Sequence, residues 1–182
     1  MLLETNSDNL GWTAAPFTLP DPSGKSYSLT DLQGENGLLI AFICNHCPYV
    51  KAIGDRFSAD ATVLQNAGIN VVGINSNDFK NYPDDSPENM TLFAKKHGFT
   101  FPYLVDETQS VAKEYGAVCT PDFFGFNKAG VLQYRGRLDD ARMEGGDQRT
   151  PELLNAMELV AQTGKGPEQQ LPSMGCSIKW KR

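Results

Sequence analysis

The stretch that decides the fold is Leu38-Leu39-Ile40-Ala41-Phe42-Ile43, followed at once by Cys44-Asn45-His46-Cys47-Pro48. Six apolar residues in a row predict a strand that is buried on both faces. Beyond Pro48, residues 49–67 repeat apolar side chains with the period of an amphipathic helix. A Cys-x-x-Cys pair therefore lies where a buried strand gives way to a helix.

The position of the proline indicates which cysteine is the nucleophile. Pro48 suits the first helical position, where a missing N–H group costs nothing, so Cys47 falls at the N-cap and Cys44 in the loop before it. A helix N-terminus offers unpaired N–H groups and about half a positive charge, which stabilise a thiolate and lower the pKa of its thiol. We expect Cys47 to attack and Cys44 to be its partner. His46 is placed to donate to the thiolate or, as imidazolium, to stabilise it.

Other uses of the pair are a structural disulfide, half of a zinc site and a haem attachment. A four-cysteine zinc site needs two close pairs, whereas Cys119 and Cys176 stand alone and far apart. Covalent haem attachment needs a histidine after the second cysteine, where this chain has Pro48. We therefore expect no metal and no other cofactor. The strand–loop–helix context favours dithiol chemistry over a structural disulfide.

Length, charge and composition narrow the class of protein. The chain has 182 residues, of which 40% are hydrophobic, and this suits one domain over 1–182 with a C-terminal tail at 165–182. The net charge of −6 repels nucleic acids and anionic lipids, so the expected partners are protein or small-molecule thiols and disulfides. The start of the chain has no signal-peptide pattern and no apolar run is long enough to span a membrane. This predicts a cytoplasmic protein whose four cysteines cycle as thiols.

The rest of the chain alternates strands and helices and closes with a hairpin and a helix. This order predicts an α/β fold with a mixed central sheet covered by helices on both faces. The further predicted elements are an N-terminal hairpin at 17–19 and 27–29, strands at 69–74 and 101–105, helices at 86–96 and 108–115, a hairpin at 122–126 and 131–135, and a last helix that starts at Thr150-Pro151 and ends at Gly164.

A second informative stretch is Val118-Cys119-Thr120-Pro121-Asp122. A proline at the start of a strand cannot donate to the ladder, and only about 5–6% of X–Pro bonds in folded proteins are cis, so these residues alone favour a trans turn. Cys119 is equally suited to be a small buried side chain or a redox thiol.

Seven segments carry a family resemblance: APFTLP at 15–20, FICNHCPYV at 42–50, NSND at 75–78, DSPENM at 85–90, CTPDFF at 119–124, YRGR at 134–137 and PSMGCSIKW at 172–180. Together they resemble the peroxiredoxin-like (redoxin, AhpC/TSA-related) branch of the thioredoxin superfamily over nearly the whole chain. The resemblance implies a thioredoxin-like fold and thiol–disulfide oxidoreductase activity. It also implies that Cys47, counted from Phe42, holds the attacking position, and that Thr120-Pro121 is cis and faces it.

One departure from the peroxiredoxin pattern concerns peroxide. Peroxiredoxins hold the attacking cysteine three residues after Thr or Ser and seven after Pro. Those positions are Cys44 and Ile40 for Cys47, and Ala41 and Gly37 for Cys44. Because the hydroxyl that positions a peroxide is missing, we rank thiol–disulfide exchange first and a thiol-dependent peroxidase second. A thioredoxin-fold binding module with structural cysteines is the non-enzymatic alternative.

The C-terminal tail is expected to dock onto the domain, because Ile178 and Trp180 are too apolar to stay in water. Docking brings Cys176 to Cys119 or to the active pair as a further redox thiol, or else leaves it a buried thiol. The acidic residues at 78–88 match no calcium loop and are expected to form a solvated connection without a metal.

Overall fold

The computed structural model describes residues 1–182 as ten strands, five α-helices and one short 3₁₀ helix. The strands are β1 (Leu2–Glu4), β2 (Thr18–Pro20), β3 (Ser26–Ser28), β4 (Gly37–Phe42), β5 (Ile69–Asn75), β6 (Tyr103–Val105), β7 (Cys119–Thr120), β8 (Asp122–Phe126), β9 (Leu132–Tyr134) and β10 (Met174–Ser177). The α-helices are α1 (Leu29–Leu32), α2 (Pro48–Asn66), α3 (Pro87–His97), α4 (Ser110–Tyr115) and α5 (Glu152–Thr163), and the 3₁₀ helix covers Pro83–Asp85.

A five-stranded sheet in the order β6-β5-β4-β8-β9 forms the centre of the fold. β4, β5 and β6 run parallel, whereas β8 pairs antiparallel with both β4 and β9. The mixed sheet predicted from the order of elements is confirmed. Every residue of β4 is buried because the strand lies in the middle of the sheet and is covered on both faces.

Helices cover both faces of the sheet, as predicted. On one face, α2, α3 and α5 contribute Phe57, Phe93 and Met157 to a common cluster. On the other face, Tyr115 of α4 packs with Phe17 from the N-terminal segment. None of the helices is both long and apolar enough to cross a bilayer.

Two predicted elements begin later than expected, for local reasons. The strand predicted at 101–105 starts at Tyr103 because Pro102 has no N–H group to donate to the ladder. The helix predicted at 108–115 starts at Ser110 because Gln109 adopts a left-handed backbone conformation with a φ of 65°.

The C-terminal tail docks as an additional strand, which confirms the expectation. β10 pairs antiparallel with β1 on one side and with β7 on the other, so the two ends of the chain meet in a second, three-stranded sheet. Ile178 is buried, as expected. Trp180 keeps 38% of its surface exposed, so its expected burial is only partial. The Nζ atom of Lys113 lies 5.7 Å from the centroid of the Trp180 ring.

A buried ion pair supports the segment that carries Pro121. Asp122 is fully buried at the start of β8, and Nη2 of Arg135 donates to its carboxylate at 2.9 Å. The same guanidinium donates to the carbonyl of Gly116 and lies 4.4 Å from the ring centroid of Phe124. Because both charges are out of water, each stabilises the other in place of solvent.

Replacing Arg135 by methionine (Arg135→Met) should lower the free energy of unfolding by about 3–5 kcal/mol, because the Asp122 carboxylate is left buried without a counter-charge. Denaturant unfolding at pH 8 measures this loss. The loss should shrink at pH 5, because burial raises the pKa of Asp122 to about 6 even beside Arg135, and the carboxyl is then largely protonated with or without its partner.

Arg137→Met is the matched control, since Arg137 pairs with Glu152 at a partly exposed position. This substitution should cost about 0–1 kcal/mol. Equal losses in the two variants would contradict the role given to the buried pair.

Candidate active site

The Cys-x-x-Cys pair lies in the turn between β4 and α2. Cys47 is the N-cap of α2 and Pro48 is its first residue, which confirms the predicted positions. Cys44 lies in the loop before the helix. Both thiols are inaccessible: the exposed fraction is 1% for Cys44 and 0% for Cys47.

Thr120 and Pro121 lie just before β8, the strand that pairs with β4 next to the Cys-x-x-Cys turn. The Thr120–Pro121 peptide bond is cis, so the trans expectation from residue frequencies is wrong and the expectation from the family resemblance is confirmed. The hydroxyl of Thr120 lies 3.1 Å from Sγ of Cys44. When Cys47 is protonated, its thiol donates to the Thr120 carbonyl at 3.3 Å. One residue thus contacts both sulfurs.

The two thiols hold their protons unequally. A hydrogen bond from Cys44 lowers the pKa of Cys47 well below that of an ordinary thiol, against the opposing effect of burial, and Cys176 adds a further hydrogen bond. The same bond to Cys47, together with burial and the nearby charge of Asp85, raises the pKa of Cys44 well above the ordinary value. Electrostatics therefore favours Cys47 as the thiolate and Cys44 as the proton donor.

His46, between the two cysteines, faces a carboxylate. Its Nδ1 atom makes a hydrogen bond to Asp85, and its ring stacks on Tyr82 with the centroids 6.2 Å apart. The hydrogen bond to Asp85 raises the pKa of His46, and burial opposes this. The Asp85 carboxylate thereby favours the imidazolium form of His46, and an imidazolium near the pair favours a thiolate.

Asp85 is a site residue that the sequence analysis missed. It is 1% exposed and accepts hydrogen bonds from the backbone N–H of Asn45 at 2.7 Å and from the side-chain amide of Asn77 at 3.0 Å. Burial alone would raise the pKa of Asp85, but these bonds and the bond from His46 lower it overall. The expected solvated connection at 78–88 is therefore wrong at Asp85, and also at Asp78, which is 3% exposed.

The reason for this miss is separation along the chain. Asp85 and His46 lie 39 positions apart, and no periodicity or spacing links them. The segment at 85–90 belongs to the family resemblance, and this was the one signal in the sequence that could have drawn attention to Asp85.

Three of these groups have the character of metal ligands. Cys44, His46 and Asp85 each offer one ligand atom, and the three atoms lie within 4.8 Å of one another. The Asp85 oxygens already accept hydrogen bonds from Asn45, His46 and Asn77, and Cys44 is held in its protonated form. A metal ion would have to replace these bonds and displace that proton. The observed contacts therefore fit a hydrogen-bonded thiol site.

The two remaining cysteines have different surroundings. Cys119 is fully buried, its thiol donates to the Pro121 carbonyl at 3.6 Å, and burial raises its pKa far above the ordinary value. Cys176 is half-buried and packs against the apolar cluster that contains Cys44 and Cys47. Burial, followed by hydrogen bonding to Cys47, raises the pKa of the Cys176 thiol. Docking of the tail thus brings Cys176 to the active pair.

A buried dithiol at a helix N-terminus, in a mixed sheet and opposite a cis-proline, defines a redox enzyme of the thioredoxin superfamily. The sequence model of the AhpC/TSA family matches residues 10–135. Peroxiredoxin Bcp from Escherichia coli (strain K12) is 31% identical over 137 residues, which are 74% of this chain and 81% of that protein. The chain belongs to the AhpC/TSA family.

Solved structures agree with this assignment. The crystal structure of an uncharacterised conserved protein from Geobacillus kaustophilus is 44% identical, covers 100% of this chain and 97% of its own, and gives a TM-score of 0.93. The thioredoxin domain of a thiol-disulfide oxidoreductase from Bacteroides vulgatus is 18% identical, covers 85% of this chain and 99% of its own, and gives a TM-score of 0.65. The second likeness shows the thioredoxin-like fold alone.

Asp85→Asn should lower the pKa of His46 and remove a pH-dependent stabilisation of the fold. In the folded protein the pKa of His46 is raised and that of Asp85 is lowered. Their contribution is therefore fully present between the ordinary pKa values of a carboxyl and an imidazole, about 4 and 6.5. It is lost as pH rises through the raised pKa of His46, or falls through the lowered pKa of Asp85.

NMR titration of the His46 ring measures the first effect, and denaturant unfolding between pH 4 and pH 9 measures the second. Asp84→Asn is the control, because the neighbouring Asp84 is exposed and contributes only its backbone carbonyl to Asn45. If His46 titrated identically in Asp85→Asn and the control, the proposed charge coupling would be absent.

Proposed function

We propose that this protein is a thiol–disulfide oxidoreductase in which Cys47 attacks a disulfide of a protein or small-molecule partner and Cys44 resolves the product. The observation that carries the proposal is the placement of both cysteines at the start of α2, where Thr120 contacts both sulfurs and the interaction between the thiols lowers the pKa of Cys47 and raises that of Cys44. Such an arrangement keeps one sulfur ready to attack and the other protonated until it is needed.

The reaction proceeds by two exchanges. The Cys47 thiolate attacks one sulfur of the substrate disulfide, the substrate S–S bond breaks, and the first substrate thiolate leaves and takes a proton from solvent. Cys47 is now bonded to sulfur and carries no negative charge, so the main cause of the raised pKa of Cys44 disappears. Cys44 then loses its proton, attacks Cys47 and releases the second substrate thiol. The products are a reduced substrate and an oxidised Cys44–Cys47 pair.

His46 and Thr120 act as positioning residues in this scheme. The His46 ring is held by Asp85 close to Cys44, where its imidazolium form offsets negative charge on the sulfurs. The Thr120 hydroxyl contacts Cys44, and the Thr120 carbonyl contacts Cys47, so this residue orients both side chains. Pro48 starts the helix that positions Cys47.

Cys47→Ser should abolish the protein-dependent acceleration, over the uncatalysed background, of the reduction of a disulfide substrate by dithiothreitol, because the attacking thiolate is lost. The double variant Cys44→Ser/Cys176→Ser should instead accumulate a mixed disulfide on Cys47, because neither neighbouring thiol remains to resolve it. Mass spectrometry after acid quenching detects the adduct. Cys119→Ala, which removes a thiol that contacts neither sulfur of the pair in the scheme, should keep the activity.

The pH dependence of alkylation assigns the nucleophile independently. Measured with iodoacetamide and peptide mass mapping, Cys47 should react as a thiolate at a pH where Cys44 is still protected. The reverse order would exchange the roles of the two cysteines.

A thiol-dependent peroxidase is the second candidate. It is favoured by the likeness to the 31% identical relative, Peroxiredoxin Bcp, and by the hydroxyl of Thr120 at 3.1 Å from Cys44. Against it, no Thr or Ser stands three residues before either cysteine of the pair. The Thr120 hydroxyl also contacts Cys44, whose protonated form is a poor nucleophile.

Hydrogen peroxide should therefore oxidise the protein at a rate close to that of an unassisted thiolate. Stopped-flow tryptophan fluorescence with excess peroxide measures the rate, and Cys47→Ser provides the baseline. A rate constant of about 10⁷–10⁸ M⁻¹s⁻¹, near the upper end of enzymatic efficiency, would rank peroxidase activity above thiol–disulfide exchange as the function of this protein.

A further inference from the structure

The C-terminal strand lies directly against the active pair. β10 pairs with β7 in a register that places Cys176 opposite Thr120 and Ser177 opposite Cys119. A Cβ atom at Gly175 would lie only 1.9 Å from the Thr120 carbonyl oxygen, so the close approach of the two strands requires a glycine at this position. Gly175 in the tail therefore allows β10 to lie directly beside Thr120.

The register decides which cysteine Cys176 can reach. Residues that pair across two strands share a face, and consecutive residues of one strand point to opposite faces. Cys176 shares the face of Thr120, whose side chain contacts Cys44, and Cys119 points to the other face. The thiol of Cys47 donates to the carbonyl of this same Thr120 at 3.3 Å, and Cys176 packs against the apolar cluster that contains Cys47. Cys47 is thus the disulfide partner within reach.

Hydrogen bonds also hold the tail on the C-terminal side of Cys176. Asn77 accepts a hydrogen bond from the backbone N–H of Lys179 at 2.8 Å, and the buried side chain of Gln109 donates to the Lys179 carbonyl at 2.8 Å. Ser177 donates its backbone N–H to the Met1 carbonyl at 2.8 Å. These contacts hold Cys176 in place without any contribution from its own sulfur.

Access from solution also distinguishes Cys176. Cys44, Cys47 and Cys119 are buried, whereas Cys176 is only half-buried. In thiol–disulfide exchange the attacking thiolate must reach a sulfur, and the more acidic thiol is the better leaving group. In a disulfide between Cys47 and Cys176, an external thiolate can reach the Cys176 sulfur. Cys47 then leaves, because it is the better leaving group of the two.

We propose that Cys176 is a third redox thiol, which provides a second route beside Cys44 for resolving mixed disulfides on Cys47: it forms a Cys47–Cys176 bond and then presents its sulfur to an external thiol reductant. This proposal rests on the proposed function and adds to it the thiol through which the enzyme is re-reduced. It makes the tail strand part of the catalytic cycle.

Each step balances with the substrate disulfide as oxidant and an external thiol as reductant. The Cys176 thiol loses its proton to solvent and attacks Cys47 in the mixed disulfide, the substrate thiolate leaves, and the Cys47–Cys176 bond forms. An external thiolate attacks Cys176 and Cys47 leaves as a thiolate. A second external thiolate then attacks the external sulfur of that mixed disulfide, which releases the Cys176 thiol and the disulfide of the reductant.

The test uses the full-length Cys44→Ser variant, treated with one equivalent of an aromatic disulfide, quenched in acid and mapped by peptide mass spectrometry. A Cys47–Cys176 linkage is the expected result. A lasting mixed disulfide on Cys47, with Cys176 free, would overturn the proposal and leave the proposed function intact. A Cys119–Cys176 linkage would also overturn it. No reaction at Cys47 at all would contradict the proposed function itself.

A second variant tests the strand register that the proposal needs. In the Cys44→Ser background, Gly175→Ala forces β10 away from Thr120, and a misplacement of about 1 Å costs about 10²-fold in an intramolecular reaction. Formation of the Cys47–Cys176 bond should slow by about tenfold or more. Gly145→Ala is the matched control, since nothing lies within 4 Å of a Cβ atom there. Equal rates in the two variants would overturn the role of the docked strand.

Discussion

The hydrogen bonds between β4 and β8 place Phe42 opposite Asp122, and the geometry of the site depends on this register. Cys44 follows Phe42 by two residues, and Thr120 precedes Asp122 by two. The antiparallel pairing therefore brings together two side chains that are 76 positions apart in the chain. A slip of one residue would turn alternate side chains to the opposite face of the sheet and would separate the Thr120 hydroxyl from Cys44.

Two buried carboxylates flank the dithiol, and each is stabilised in a different way. Asp85 is surrounded by hydrogen-bond donors from the loops after β4 and β5, together with the ring of His46. Asp122 is compensated by the guanidinium of Arg135. The first carboxylate affects the chemistry directly, since its charge raises the pKa of both Cys44 and His46. The second holds the start of β8, next to Pro121.

The tail closes the site and limits access to it. β10 joins both ends of the chain to the Thr120 segment, and its cysteine contacts a nucleophile that has no exposed surface of its own. Because Cys47 has no exposed surface, the proposed attack on a substrate disulfide requires the site to open. The contacts of Gln109 and Asn77 with Lys179 oppose any opening that displaces β10.

Much of the fold could be read from the sequence. Local signals predicted the buried strand, the helix that begins at Pro48, the N-cap position of Cys47 and the helix that begins after Ser86, because apolar periodicity and helix capping involve residues a few positions apart. The cis bond at Pro121 followed from family resemblance, since the residues around it alone favoured trans. β1 gave no local signal because its three residues form a strand only by pairing with β10.

The sequence by itself thus determined the unit of strand, thiol pair and helix. Only the tertiary structure decided that Asp85 is buried against His46, that Thr120 contacts both thiols, and that Cys176 lies opposite Thr120 and not opposite Cys119. These contacts depend on sheet register and on burial, which join residues that are far apart in the chain and leave no periodicity in the sequence.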